Sequence, residues 1–140
     1  MRHRPTYDPG MKITYAWRGS FDDAALSALH ADGFGHPASE TAWADRLARH
    51  SLGWVCAYAD NTLVGFVNVA WDGAAHAFLL DTVVARHHRR QGIGATLVTT
   101  ATQEARAAGC TWLHADFEAP LRPFYDACGF RTTAAGLLAL

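Results

Sequence analysis

The chain has 140 residues, of which 50% are hydrophobic and 18% charged, a composition that excludes disorder and suits one domain burying roughly 70% of its unfolded surface. A formal net charge of −1 excludes a general attraction to nucleic acid, so the basic residues matter only where they cluster, at Arg86 to Arg90. No apolar run approaches the ~18 residues of a membrane span, and a soluble, cytoplasmic protein is expected.

Residues 1–11 carry charge but no apolar h-region, so they read as a flexible lead-in rather than a signal peptide, with Met11 as an alternative start. Residues 12–140 then form a single domain. Residues 12–17 suit a first strand. Asp22 and Asp23 place carboxylates at the start of a helix that turns Ala25, Leu26 and Leu29 inward and has Gly33 as its expected stop. Ser39 is the expected cap of a second helix carrying Trp43, Leu47 and Ala48 on one side. Residues 54–59 and 63–70 are strands of a hairpin closed at Asp60-Asn61. After Asp72-Gly73 comes a strand over residues 76–84, then a basic loop and a helix from Gly94 to Ala108 that ends at Gly109.

Residues 111–118 predict another strand, with Trp112, His114, Asp116 and Glu118 on one face and Leu113, Ala115 and Phe117 on the other. Pro120 and Pro123 suit only the first turn of a helix, so the element carrying Tyr125 is short, and residues 130–140 are expected to supply a final hairpin around Gly136. The order is β-α-α-β-β-β-α-β-α-β(-β), an α/β chain with a mixed central sheet of six to seven strands and about four helices. The strand, helix and strand over residues 76–118 make the crossover that renders part of the sheet parallel. Cys56, Cys110 and Cys128 lie apart in apolar contexts and read as reduced, buried thiols.

The most informative stretch runs from Val84 through Arg89-Arg90-Gln91-Gly92-Ile93-Gly94 into the long helix. Glycines let the backbone turn sharply and approach a ligand, while a helix start offers unpaired N–H donors and a partial positive charge, so an anion such as phosphate is the natural guest. No Lys-Ser/Thr pair follows the glycines, and Leu97 stands where a third glycine of a dinucleotide loop would be. The segment resembles the coenzyme A loop of the GNAT superfamily of N-acetyltransferases, Arg/Gln-x-x-Gly-x-Gly/Ala. Phe124-Tyr125-Asp126-Ala127-Cys128-Gly129-Phe130 is similar to that superfamily's Tyr-x-x-x-Gly-Phe signature, in the same order and at a comparable separation. Recognisable motifs cover residues 54–140, and a compatible pattern of elements precedes them.

The resemblance implies a GNAT fold in which the strand ending at Val84 and the strand containing Asp116 splay apart around the pantetheine arm of acetyl-CoA. Backbone groups of Thr82, Val83 and Val84 would hold the pantetheine amides, and Arg89, Arg90, Gln91, Gly92, Ile93, Gly94 and Ala95 the pyrophosphate. The competing readings are a core role for Val83 and Val84 and a solvated basic loop for Arg89 and Arg90, and His87 and His88 read as exposed loop residues. The implied reaction is direct attack of a neutral primary amine on the thioester, with Tyr125 as general acid to the leaving thiolate and a backbone N–H near Val84 for the oxyanion. A tyrosine merely packed under the sheet is the alternative for Tyr125.

Candidate bases are Asp81, Asp116 and Glu118, with Asp81 the preferred one; Glu118 departs from an asparagine frequent at that point of the family, and ordered water is a further option. Three acids on strands without Lys or Arg predict a mouth that favours cationic amines or polyamines over anionic acceptors. A small-molecule or peptide amine is therefore the expected partner, with no nucleic acid, no membrane and no metal, and with a homodimer left open. A non-catalytic acyl-CoA-binding module is the alternative function, and a nucleic-acid module using Arg86 to Arg90 the weakest one.

Overall fold

Five strands lie side by side in chain order in one sheet, in a computed structural model that describes residues 11–140. Apart from Met11, the lead-in expected over residues 1–11 falls outside the described residues. The strands are β1 (Ile13–Trp17), β2 (Ser51–Ala59), β3 (Thr62–Trp71), β4 (His76–Val84) and β5 (Trp112–Ala115), and the helices α1 (Asp23–Phe34), α2 (Trp43–His50), α3 (Ile93–Ala107) and α4 (Arg122–Ala127). Strands β1 to β4 pair antiparallel, and β5 pairs parallel to β4 after the α3 crossover. The hairpin between β2 and β3 turns at Asp60, whose φ of 53° is tolerated by the short polar side chain.

One face of the sheet is sealed by α3, which turns Ile93, Leu97, Val98, Ala101 and Ala105 onto Val55, Val67, Val69 and Leu79. The apolar positions recur at the helical period, as the sequence predicts, although Ala108 lies exposed beyond the last turn. The other face is covered by α1 and α2, which pack Leu26, Leu29, Trp43 and Leu47 against Cys56, Phe66 and Val83.

Gly33 does not stop α1: the helix runs to Phe34, and Gly35, at φ 72°, caps it. The glycine at 33 serves close approach instead, because a Cβ there would overlap the Val83 side chain. Helix α2 likewise begins later than Ser39 predicts, at Trp43, and its Ala42 cap makes no side-chain hydrogen bond. Ser39 bonds Thr41 instead, at 3.0 Å, and the first-turn N–H of Ala44 donates to Asp23 Oδ1 of α1 at 3.0 Å. A cap borrowed from a neighbouring helix leaves no local pattern.

At the C-terminal end the sheet is smaller than the six to seven strands expected. β5 stops at Ala115, leaving Asp116 and Glu118 beyond it and exposed. No strand forms over residues 130–140; Ala134, Ala135 and Gly136 are weak strand formers with little to pack, and Leu137 and Leu138 remain 88% and 82% exposed.

Candidate active site

The site is created by an irregularity in β4. Phe66 pairs with Val83 and Asn68 with Leu80, so Asp81 and Thr82 together oppose the single residue Val67. This is a β-bulge, with Asp81 at φ 57°, a conformation that costs a non-glycine residue on the order of 1 to 3 kcal/mol and that Asp tolerates better than most. The extra residue resets the alternation of side chains. Leu79 packs on the α3 side, yet Val83 packs on the α1 and α2 side, and the consecutive residues Leu80 and Asp81 both line one cavity there.

The same bulge parts the two parallel strands. β4 and β5 pair from His76↔Trp112 to Leu79↔Ala115 and no further, although β4 continues to Val84. Beyond Leu79, β5 offers no ladder to the backbone of Thr82, Val83 and Val84, so the edge expected to hold pantetheine amides faces a gap. The side chains of those residues are occupied in packing: Val83 is buried and Val84 half-buried.

On the α1 and α2 side, Asp81 borders a cavity of about 320 Å³ with Arg46, His50, Ser51, Asn68, Ala70 and Leu80. Its Oδ1 lies 3.0 Å from His30 Nε2 and its Oδ2 3.7 Å from Arg46. The Arg46 guanidinium sits 4.0 Å over the Trp43 ring, which fixes its direction through cation–π attraction. Asn68 is buried and accepts a hydrogen bond from Ser51 Oγ at 2.5 Å. Asp116 and Glu118 do not join this cavity, so the three acids do not converge on one mouth, and the Arg46 cation of α2 stands opposite Asp81.

On the α3 side, Thr82 turns toward Tyr125. The tyrosine is buried, stacked on Phe117 at 4.4 Å and set edge-on to Phe124 and Phe130. Burial pushes its phenol above the ordinary range, with the Thr82 hydrogen bond opposing and Cys128 reinforcing the shift, so it is protonated at neutral pH. Packing and a chemical role are thus compatible here, since the ring is clamped while the hydroxyl meets β4.

At the end of β4 the basic loop makes a short 3₁₀ turn, Arg86–His88, and enters α3 through Gly92 at φ 79°. No side chain caps α3, and the Thr96 N–H is bonded to the Gly92 carbonyl. The N–H groups of Ile93, Gly94 and Ala95 therefore lack intrahelical partners, as first-turn donors do. A Cβ on Gly92 would meet nothing within 4 Å. Open space before uncapped donors fits a pyrophosphate.

Gly94 plays a different part, since it lies inside the helix and a Cβ there would come within 3.3 Å of the Phe124 ring. Arg89 donates to the Val84 carbonyl at 3.4 Å and the Gly33 carbonyl at 3.1 Å, tying the loop to α1, whereas Arg90, at φ 62°, and Gln91 are exposed. His87 is exposed as expected, but His88 is half-buried, with Nδ1 shielded and unpartnered. Among the described residues no cluster of three or more His, Cys, Asp or Glu is arranged to hold a metal.

Residues 17–130 match the Acetyltransferase (GNAT) family. The chain belongs to this family. Its fold is shared with a Trypanosoma brucei acetyltransferase at a TM-score of 0.78 and 20% identity, covering 92% of this chain and 100% of that one. A GNAT family protein from Streptococcus pneumoniae gives 0.76 and 21%, covering 92% and 98%. AAC(6')-Iy, solved with the bisubstrate analog CoA-S-monomethyl-acetylneamine, gives 0.75 and 17%, covering 92% and 97%. No curated protein matches the sequence. As a GNAT member the chain has the mixed sheet and the β4 and β5 parting that its two motifs imply, and no helix among the described residues is long and apolar enough to cross a membrane.

Sequence reasoning missed His30, Arg46, His50 and Asn68. A signal existed for His30, which stands four residues after the buried Leu26 and so shares the inward face of α1. The other three are brought to Asp81 only by the packing of α2 on β2 and β3.

Proposed function

We propose that this chain transfers an acetyl group from acetyl-CoA to a primary amine by direct attack, with acetyl-CoA as co-substrate. The observation that carries this reading is the parting of β4 from β5, with an acid on one face of the sheet, a phenol on the other and an uncapped helix start at the end of the gap. The coenzyme's pyrophosphate would lie on the N–H groups of Ile93, Gly94 and Ala95, with Arg90 and Gln91 at its rim and the backbone of Thr82, Val83 and Val84 along the pantetheine arm. Arg89 contributes by holding the loop against Gly33 and Val84.

The acceptor enters from the cavity bordered by Asp81 as an ammonium, gives up one proton on that side and attacks the thioester carbonyl through the gap as the neutral amine; its second N–H proton passes to solvent as the tetrahedral intermediate collapses. As the carbon–sulfur bond breaks, Tyr125 donates its hydroxyl proton to the departing sulfur, and solvent returns a proton to the phenolate. A buried phenol strongly prefers its neutral form, so the acid is reset before the next cycle. With Arg46 and His50 in the walls, a polycationic acceptor has no special advantage, and acceptors carrying one amine and a compact body fit the volume better.

A thiol-release assay over a panel of primary amines tests the reading. Acetyl-CoA-dependent release that requires an amine, with the acetylated product confirmed by mass, is the expected result. Coenzyme binding without release for any amine would instead identify a non-catalytic acyl-CoA-binding module.

A further inference from the structure

We infer that His30 and His36 extend Asp81 into a proton relay that carries the acceptor's proton from the cavity to solvent; this rests on the acetyl-transfer reading. Asp81 faces the cavity, and its Oδ1 lies 3.0 Å from His30 Nε2. On the far side of the ring, His30 Nδ1 lies 2.6 Å from His36 Nε2, and His36 Nδ1 lies 2.7 Å from the Pro37 carbonyl oxygen. The chain of contacts starts at a carboxylate in the cavity and ends at an exposed imidazole.

Each of the three contacts needs one proton between its heavy atoms, whichever tautomers are present. Two neutral imidazoles bring two. The third makes the trio neutral as a whole, one carboxylate balanced by one extra proton. Remove that proton and two lone pairs must face each other at one contact, which opens it. The linked geometry is therefore the loaded state of a base that has accepted one proton.

In the catalytic sequence the unloaded trio takes a proton from the ammonium form of the acceptor: the N–H bond breaks, its electron pair stays on the amine nitrogen, and the proton joins the Asp81 and His30 pair. His36 then releases one proton to water. Imidazole suits such transfer because it donates through one nitrogen while accepting through the other and changes charge in the physiological range. The His30 ring is held in position between Phe34, at 4.5 Å, and Trp43, at 5.3 Å.

Few charged groups face the trio. Arg46 stands 3.7 Å from Asp81 Oδ2, and His50 shares the cavity from α2. Arg86 is engaged with Asp32 of α1 at 3.8 Å, and Arg89 with the Gly33 carbonyl. The β2 and β3 strands contribute only neutral residues, Ser51, Asn68 and Ala70. Among these, Arg46 is the cation closest to the carboxylate.

The test is a pH series of thiol release from about pH 6 to about pH 9 with His30→Gln and His36→Ala in the full chain, with acetyl-CoA varied up to saturation. His30→Gln should lower kcat about 10²-fold near neutral pH, leave the KM for acetyl-CoA almost unchanged, and recover at high pH, where free amine is abundant. His36→Ala should show a smaller loss that added imidazole buffer restores. A pH-independent loss, or an unaltered profile in His30→Gln, overturns the relay. Imidazole ¹⁵N titration of the wild-type chain supplies a readout without turnover. Coupled titration of His30 and His36, displaced together by Asp81→Asn, is expected, and independent titration insensitive to that change refutes the proposal. A wild-type chain that releases no thiol with any amine would sink the acetyl-transfer reading, while the titration would still decide the relay.

Discussion

The two faces of the sheet are built on different principles. Beneath α3 the contacts are closed and aliphatic at the centre, with Val55, Val67 and Leu97 fully buried, and aromatic at the end that holds Tyr125. Beneath α1 and α2 the contacts are aromatic and partly polar: Trp43 donates to Ser27 Oγ at 3.0 Å within the core, and Arg46, Asn68 and Asp81 border a cavity. There the covering helices stop short, leaving Phe78 and Leu80 38% and 47% exposed. The difference teaches that one face is closed along its length, whereas the other closes over Leu26, Leu47 and Phe66 and then opens into a cavity with polar walls. The β4 bulge joins them, since it sends Asp81 to one side and Thr82, with its partner Tyr125, to the other.

The largest expected effect is on catalysis. Tyr125→Phe keeps the ring stacked on Phe117, so stability should change little while kcat falls on the order of 10²-fold and acetyl-CoA affinity, read by calorimetry, stays put. A change confined to KM would mean that the α3 side only positions the coenzyme. Asp81→Asn preserves a residue type that accepts positive φ, so its effect should be chemical: a rate loss greatest at neutral pH and partly relieved at high pH, seen in the pH profile of kcat/KM. An unaltered profile would remove Asp81 from the reaction.

Stability mutations sharpen the contrast between the faces. Leu97→Ala, at a fully buried site, should cost about 2 to 5 kcal/mol in urea unfolding, whereas Leu80→Ala on the half-open face should stay within about 0.5 kcal/mol and act on acceptor KM instead. Equal losses would mean that both faces are equally closed. Gly33→Ala should cost about 1 to 3 kcal/mol, because its methyl has no room beside Val83.

The smallest effect is a pH dependence of stability. Burial, only partly offset by a hydrogen bond from Tyr58, pushes the Cys56 thiol from 9.0 up to about 11, and burial also raises the Tyr58 phenol. Both groups are neutral acids held protonated by the fold, so above pH 9.0 the unfolded chain ionises first. Their contribution is intact below that point and is lost as pH rises toward about 11. Thermal melts should show a falling Tm across that window, and Cys56→Ala should flatten part of it.

Much of this molecule is legible in the sequence. The β2 and β3 hairpin, the β4 strand, the α3 stripe of Leu97, Val98, Ala101 and Ala105, and the short α4 follow from periodicity and turn residues, which depend on neighbours a few positions apart. Legible too are the glycine loop and the segment around Tyr125, because both motifs are compact in sequence.

Tertiary structure alone decided the rest. Gly33 looks like a helix stop until Val83 is seen against it, and Asp23 caps α2 across a gap of 21 residues. Where Asp81 points depends on a bulge, which appears only when β3 is laid beside β4 and one residue proves to be extra. The company Asp81 keeps, with His30 and His36 on one side and Arg46 on the other, joins residues up to 51 positions apart. Local free energies specify elements, but which side chains meet is set by how whole elements bury their apolar faces against one another, and that competition is settled only in three dimensions.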